Sequence, residues 1–226
     1  FRYVAGMDAF EQADLAAFDA VISTQPPSFA APHPHHLSLF FHHHRVYYDL
    51  EAPYIEAGFV ADAELHRRAG ARIRSLDAPR LEAVRWFAAG SETVRRRLGR
   101  YNGIDRVSLF HAGRAVGADA PPSTTGPRRG PVLCVGRLEF PKRPELFVAA
   151  MRRLPHVPAT VVGSGGRRAW ARAVDHHLSQ PGTDLATVDD RALWCCRGEV
   201  HAAAPDDWES NIAFAGRVDD AILTDL

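Results

Sequence analysis

Arg137 and Lys142 stand five positions apart in the run GRLEFPKRP at 136–144, which follows an apolar segment and leads into a stretch opened by Pro144. Two cations on such a turn can converge on an anion near a helix N-terminus, and Gly136 lets backbone approach it closely. Beside a diphosphate they would stabilise the charge that grows on it as a leaving group, which is electrostatic catalysis. A solvated basic loop is the other reading. Of the 27 basic side chains 26 are Arg, so Lys142 is the only Lys. Such a bias usually reflects codon composition, and it raises the question of whether position 142 requires a compact ammonium.

Two further stretches carry candidate chemistry. The run VGSGGR at 162–167 offers Gly163 and Gly165 after another apolar segment, where small residues free backbone N–H groups to face a ligand. The same pattern also serves plain strand-to-helix packing. Histidines cluster in PHPHH at 32–36 and in FHHHRVYYD at 41–49. On a strand His42 and His44 would share a face, yet no Cys or carboxylate nearby falls at a familiar ligand spacing, so no metal is expected. The preferred reading is that one of His42, His43 and His44 reaches a cleft at a strand end. Cys195 and Cys196 with His201 close no metal motif and read as structural or incidental.

Ligands in open α/β sheets bind at the carboxyl ends of strands, so these stretches need strands before them. Residues 18–24, 36–41 and 83–89 read as short buried strands, followed by a helix over 91–98 that Ser91 caps, and by a strand at 106–110. Ten residues without apolar periodicity at 121–130 then mark a boundary, which places domains at 1–122 and 131–226 with a linker at 123–130. After it come a strand at 131–135, a helix at 144–154, a strand at 159–162, a helix over 167–178, a long loop or insertion at 181–210, a strand at 212–215 and a helix from Asp219. Strands separated by helical or loop material favour parallel sheets, so the fold class is α/β.

Composition sets the outer limits. A chain of 226 residues counts as about one and a half domains at about 150 residues each. With 46% hydrophobic and 24% charged residues it can bury a core, which excludes disordered, collagen-like and coiled-coil classes. Twenty-seven basic against 27 acidic side chains give zero net charge, the wrong balance for a partner of bulk nucleic acid. Three cysteines make no disulfide framework, and no apolar run reaches membrane-spanning length, so the reading is cytoplasmic. The chain opens on Phe1 and stops at Leu226 in mid-pattern, which reads as a fragment lacking both ends.

Three segments in order, VLCVGRLEFPKRPEL at 132–146, VVGSG at 161–165 with Gly166, and NIAFAGRVDD at 211–220, resemble the nucleotide-sugar domain of family 4 glycosyltransferases. The first half resembles that family's N-terminal domain through DAVIST at 19–24, HHHRVYYDL at 42–50 and AAGSETVRRRL at 88–98. The resemblance covers most of the chain apart from 181–210. It implies a GT-B fold of two Rossmann-like domains, an acceptor-side one and a truncated donor-side one, and transfer of a sugar from a nucleotide diphosphate sugar with retention of configuration. No cofactor beyond that donor is implied; the acceptor would be a saccharide or a lipid-linked one, with peripheral contact at the cytoplasmic membrane face. Arg137 and Lys142 match the family's diphosphate-gripping pair, and His43, ahead of His42 and His44, matches a His placed near the transferred sugar. Gly136, Gly163, Gly165, Arg217 and Val218 fall where the family surrounds the nucleotide, and Ser91 matches a family position besides being a plain cap.

The family's glycine-rich N-terminal loop and its Glu-x7-Glu segment have no counterpart in this sequence. The polypeptide alone is therefore expected to be inactive, with exposed apolar edges, and a full-length parent to be an enzyme. The competing expectations are a nucleotide-sugar epimerase or phosphorylase of the same fold, a non-catalytic His-rich metal-binding protein, and a degenerate partner of another transferase.

Overall fold

Parallel pairing needs a crossover of about a dozen residues or more between strands, and the apolar runs of this chain are joined by connections of that length. The computed structural model describes residues 2–111, 130–185, 193, 204–205 and 208–219, and in it every paired strand is parallel. One sheet is ordered β1 (Val21–Ser23), β2 (His36–Phe40), β3 (Trp86–Ala89), β4 (Val107–Leu109). The other is ordered β5 (Val132–Val135), β6 (Ala159–Val162), β7 (Ile212–Gly216). The protein is thus α/β with two parallel sheets, and within each the strands lie side by side in chain order. It divides into two compact units, Phe1–Ile55 with Val60–Pro121, and Glu56–Phe59 with Pro122–Leu226.

The first unit carries helices α1 (Arg2–Glu11), α2 (Glu51–Glu56), α3 (Ala63–Glu82) and α4 (Glu92–Asn102), and its core of Phe40, Leu81, Phe87, Leu98 and Val107 takes Leu81 from α3 and Leu98 from α4. Asp62 starts α3 by accepting the Leu65 amide at 2.9 Å. Its buried face is His66, Gly70, Ile73, Asp77 and Leu81, spaced three and four apart as one side of a helix must be. Three of those five are polar or glycine, so the stripe does not show as apolar periodicity. Ser91 starts α4 by accepting the Val94 amide at 3.3 Å, and Gly103 ends it in the left-handed conformation that glycine takes without steric penalty.

The second unit packs α5 (Pro144–Arg152) and α6 (Arg168–Leu178) on its sheet, through Leu138, Val148, Met151, Val161, Val174 and Leu178. All four residues of the central strand β6 are buried, as expected of a strand flanked on both sides.

Several expected bounds shift. The strand expected at 18–24 holds only Val21–Ser23, with Phe18 61% exposed in the preceding turn. The helix expected at 144–154 ends at Arg152 and leaves Leu154 exposed. Because β2 ends at Phe40, His42–His44 follow the strand instead of lying on it, so strand alternation does not put His42 and His44 on one face. Residues 123–129 of the expected linker, most of the expected insertion, Cys195, Cys196, His201 and the helix expected from Asp219 onward lie outside the described residues. Among the described residues no helix is long and apolar enough to cross a membrane.

Candidate functional site

In the second unit the three strands end on glycine or lead straight into it: Gly136 after β5, Gly163 after β6, and Gly216 closing β7. The loops beyond them are zipped together by backbone bonds. The Gly136 amide donates to the Val162 carbonyl at 3.0 Å, the Leu138 amide to Ser164 at 2.9 Å, the Gly163 amide to Gly216 at 2.6 Å and the Arg167 amide to Leu138 at 2.8 Å. The Glu139 carboxylate adds a bond from the Gly166 amide at 3.2 Å.

This zipper explains the glycines. A Cβ on Gly163 would overlap the Gly136 carbonyl oxygen, and one on Gly165 would overlap that of Leu138; both glycines also have positive φ, at 135° and 153°. The glycine-rich run is therefore required by loop-on-loop contact, and the Gly136 and Gly163 amides bond within the protein instead of facing a ligand.

A cavity of about 440 Å³ opens over these strand ends. Gly136, Arg137, Gly163, Arg217 and Val218, all singled out from the sequence, line it together with Val135, Val162 and Ser164. Among the described residues the lining carries two arginines and no carboxylate, so it suits an anion. Lys142 lies outside the lining; it ends a short 3-10 turn, Phe140–Lys142, and is exposed. Gly165 also lies outside the lining, against the Leu138 carbonyl.

The first unit treats its candidates differently. His43 is 2% exposed, with Nε2 paired to Asn102 Oδ1 at 2.7 Å, and it lies against the rings of Tyr48 at 4.3 Å, Phe40 at 4.9 Å and Tyr101 at 5.7 Å. Burial holds its pKa below the ordinary value. His42 pairs Nδ1 with the His43 carbonyl at 2.8 Å, and the His44 ring stands against Tyr3 and Tyr47 at 5.2 and 5.1 Å. Burial also lowers the His44 pKa. Ser91 is a helix cap.

Sequence reading missed the polar network behind His43. Asp77, 1% exposed on α3, accepts the Tyr3 hydroxyl at 3.0 Å and the Tyr48 hydroxyl at 2.6 Å. Burial raises the Asp77 pKa, and burial beside this carboxylate raises those of both tyrosines. Close by in sequence, Asp49 is gripped by Arg45 at 2.7 Å and Arg97 at 2.8 Å. No local spacing announces these partners, because Asn102 and Asp77 lie 59 and 29 positions from the residues they bind.

Among the described residues no group of three or more His, Cys, Asp or Glu side chains is arranged to hold a metal ion. A scan against protein-family models finds no matching family, and a search of curated proteins finds no matching relative.

Proposed function

We propose that the second unit holds the diphosphate of a nucleotide sugar, and that the chain is part of a retaining glycosyltransferase of GT-B architecture and of the family 4 type. One observation carries this reading: Arg137 and Arg217 share one cavity, free of carboxylates among the described residues, at the carboxyl ends of three neighbouring parallel strands. Parallel α/β sheets take their ligands at that edge, and two guanidiniums recognise phosphate oxygens in preference to a neutral group.

In the proposed reaction the bond from the sugar's anomeric carbon to the diphosphate oxygen breaks, and a bond from that carbon to an acceptor hydroxyl oxygen forms. The hydroxyl proton passes to the departing diphosphate. Arg137 and Arg217 neutralise the charge that develops there, and Val218 borders the nucleoside. His43, enclosed by rings, positions the loop that follows β2.

Calorimetric titration of the 226-residue chain with pyrophosphate, UDP, GDP and ADP tests the reading. Binding of at least one is expected, weakened about tenfold or more by Arg137→Ala, since a hydrogen bond to a charged group contributes about 1.5–3 kcal/mol. Absence of binding to all four, or binding indifferent to Arg137 and Arg217, would overturn it.

A further inference from the structure

Beneath the candidate phosphate turn lies a carboxylate that the proposed reaction does not use. Glu145, in the first turn of α5, is completely buried. Its Oε1 accepts from Arg143 Nε at 2.6 Å and lies 3.6 Å from an Arg167 guanidinium nitrogen, while its Oε2 has no hydrogen-bond partner among the described residues. The two arginines come from the two loops that the backbone zipper joins: Arg143 ends the turn after β5, and Arg167 ends the glycine-rich run after β6. The Arg167 side chain is itself buried, with its guanidinium 4.9 Å from the Trp170 ring.

Arg143 is also the backbone outlier among the described residues. At φ 51° and ψ 54° it is the non-glycine residue with positive φ among the described residues. That conformation is sterically unfavourable for an L-residue, and glycine adopts it freely. A strained residue persists when its surroundings over-determine it. One determinant is visible among the described residues: the side chain folds back two residues onto a fully buried carboxylate.

We infer that Glu145 is a positioning residue, which holds Arg143 in the left-handed bend and so fixes the shape of the turn that carries Arg137 and Lys142. This rests on the reading of that turn as a diphosphate site. Its chemistry differs from that of the two cations, because Glu145 would repel a phosphate it touched; it reaches the turn through Arg143. Glycine at 143 would need no such hold, which makes the inference separable from a general loss of packing.

The test combines amide hydrogen exchange with pyrophosphate titration on the 226-residue chain, its Glu145→Gln variant and the double variant Arg143→Gly/Glu145→Gln. In Glu145→Gln, exchange at the Lys142, Arg143 and Leu146 amides should rise about tenfold or more with α6 amides unchanged, and pyrophosphate affinity should fall about tenfold. The double variant should return both to within about threefold of the parent chain, because glycine restores the bend. If Glu145→Gln does not fold, the double variant decides alone: folding with parental exchange supports the lock, and failure to fold overturns it. Unchanged exchange in the turn of Glu145→Gln, or a rise spread through α5 and α6 that glycine does not rescue, would overturn the inference whatever the ligand does. If exchange responds and is rescued while the parent chain binds neither pyrophosphate nor a nucleoside diphosphate, the lock stands and the diphosphate reading falls.

Discussion

The two units close the carboxyl ends of their sheets in opposite ways. In the second, glycine ends or follows each strand, the loops press backbone on backbone, and a cavity with two arginines remains above them. In the first, Phe41 follows β2 and Phe110 follows β4, and the two rings meet edge to face at 5.4 Å beside Gly90. His43 is enclosed by three further rings. Side-chain volume at the positions just past a strand thus decides whether the same parallel arrangement ends in a lined hollow or in packed aromatic core.

The units also bury charge differently. The second relies on ion pairs, Glu145 with Arg143 and Arg167, and Asp175 with Arg152. The first surrounds Asp77 with neutral tyrosine donors.

The sharpest attempt to break the contrast is a pair of glycine substitutions. Gly163→Ala should destabilise the second unit by about 3 kcal/mol or more, since steric overlap adds to an unfavourable φ. Gly103→Ala, at φ 68° with nothing within 4 Å of its Cβ, should cost the first unit only about 1 kcal/mol. Urea unfolding followed by circular dichroism separates the two, and equal losses would erase the distinction between contact-driven and conformation-driven glycine.

Tyr48→Phe probes the neutral network. It leaves a buried Asp77 oxygen without its 2.6 Å donor, so unfolding free energy should drop by about 1–3 kcal/mol. An unchanged urea midpoint would show that Asp77 finds another donor.

Acid titration follows in size. Burial keeps His36, His43 and His44 below the ordinary 6.5, so the folded first unit binds fewer protons than the unfolded chain. Stability is then complete above 6.5 and falls as the pH drops below it, with His43 setting a slope of up to about 1 kcal/mol per pH unit. Asp77 works the other way: its raised pKa lets the folded state keep a proton that the unfolded chain has released above 3.8. Asp77→Asn should therefore steepen the acid loss and His43→Phe should flatten it, both read from urea unfolding between pH 7.5 and 3.5. A first unit indifferent to pH over that range would contradict the burial of neutral histidine.

The smallest effect is expected at Ser91, where removing the cap should lower stability by about 1 kcal/mol in the same unfolding measurement. A loss several times larger would mean that Ser91 does more than accept the Val94 amide.

The parallel α/β architecture was legible because apolar runs such as VLCV at 132–135 and ATVV at 159–162 are bounded by glycine, proline and helix-start signals. Five of the expected site residues line one cavity for the same reason, since each directly follows a strand. By contrast, α3 escaped notice because His66, Gly70 and Asp77 occupy its inner face. Lys142 looked equivalent to Arg137 in spacing alone, yet the turn between them bends through Phe140–Lys142 and leaves Lys142 outside the cavity lining.

Local patterning by itself therefore determined strand identity, parallel pairing and which residues stand at strand ends, because period and punctuation act over a few neighbouring positions. Only the tertiary structure decided that His43 lies in an aromatic enclosure, that Asp77 is held by two tyrosines, and that Arg143 and Arg167 meet on one buried carboxylate. Those outcomes depend on side chains dozens of positions apart competing for the same dry volume, and no local window along the chain contains that competition.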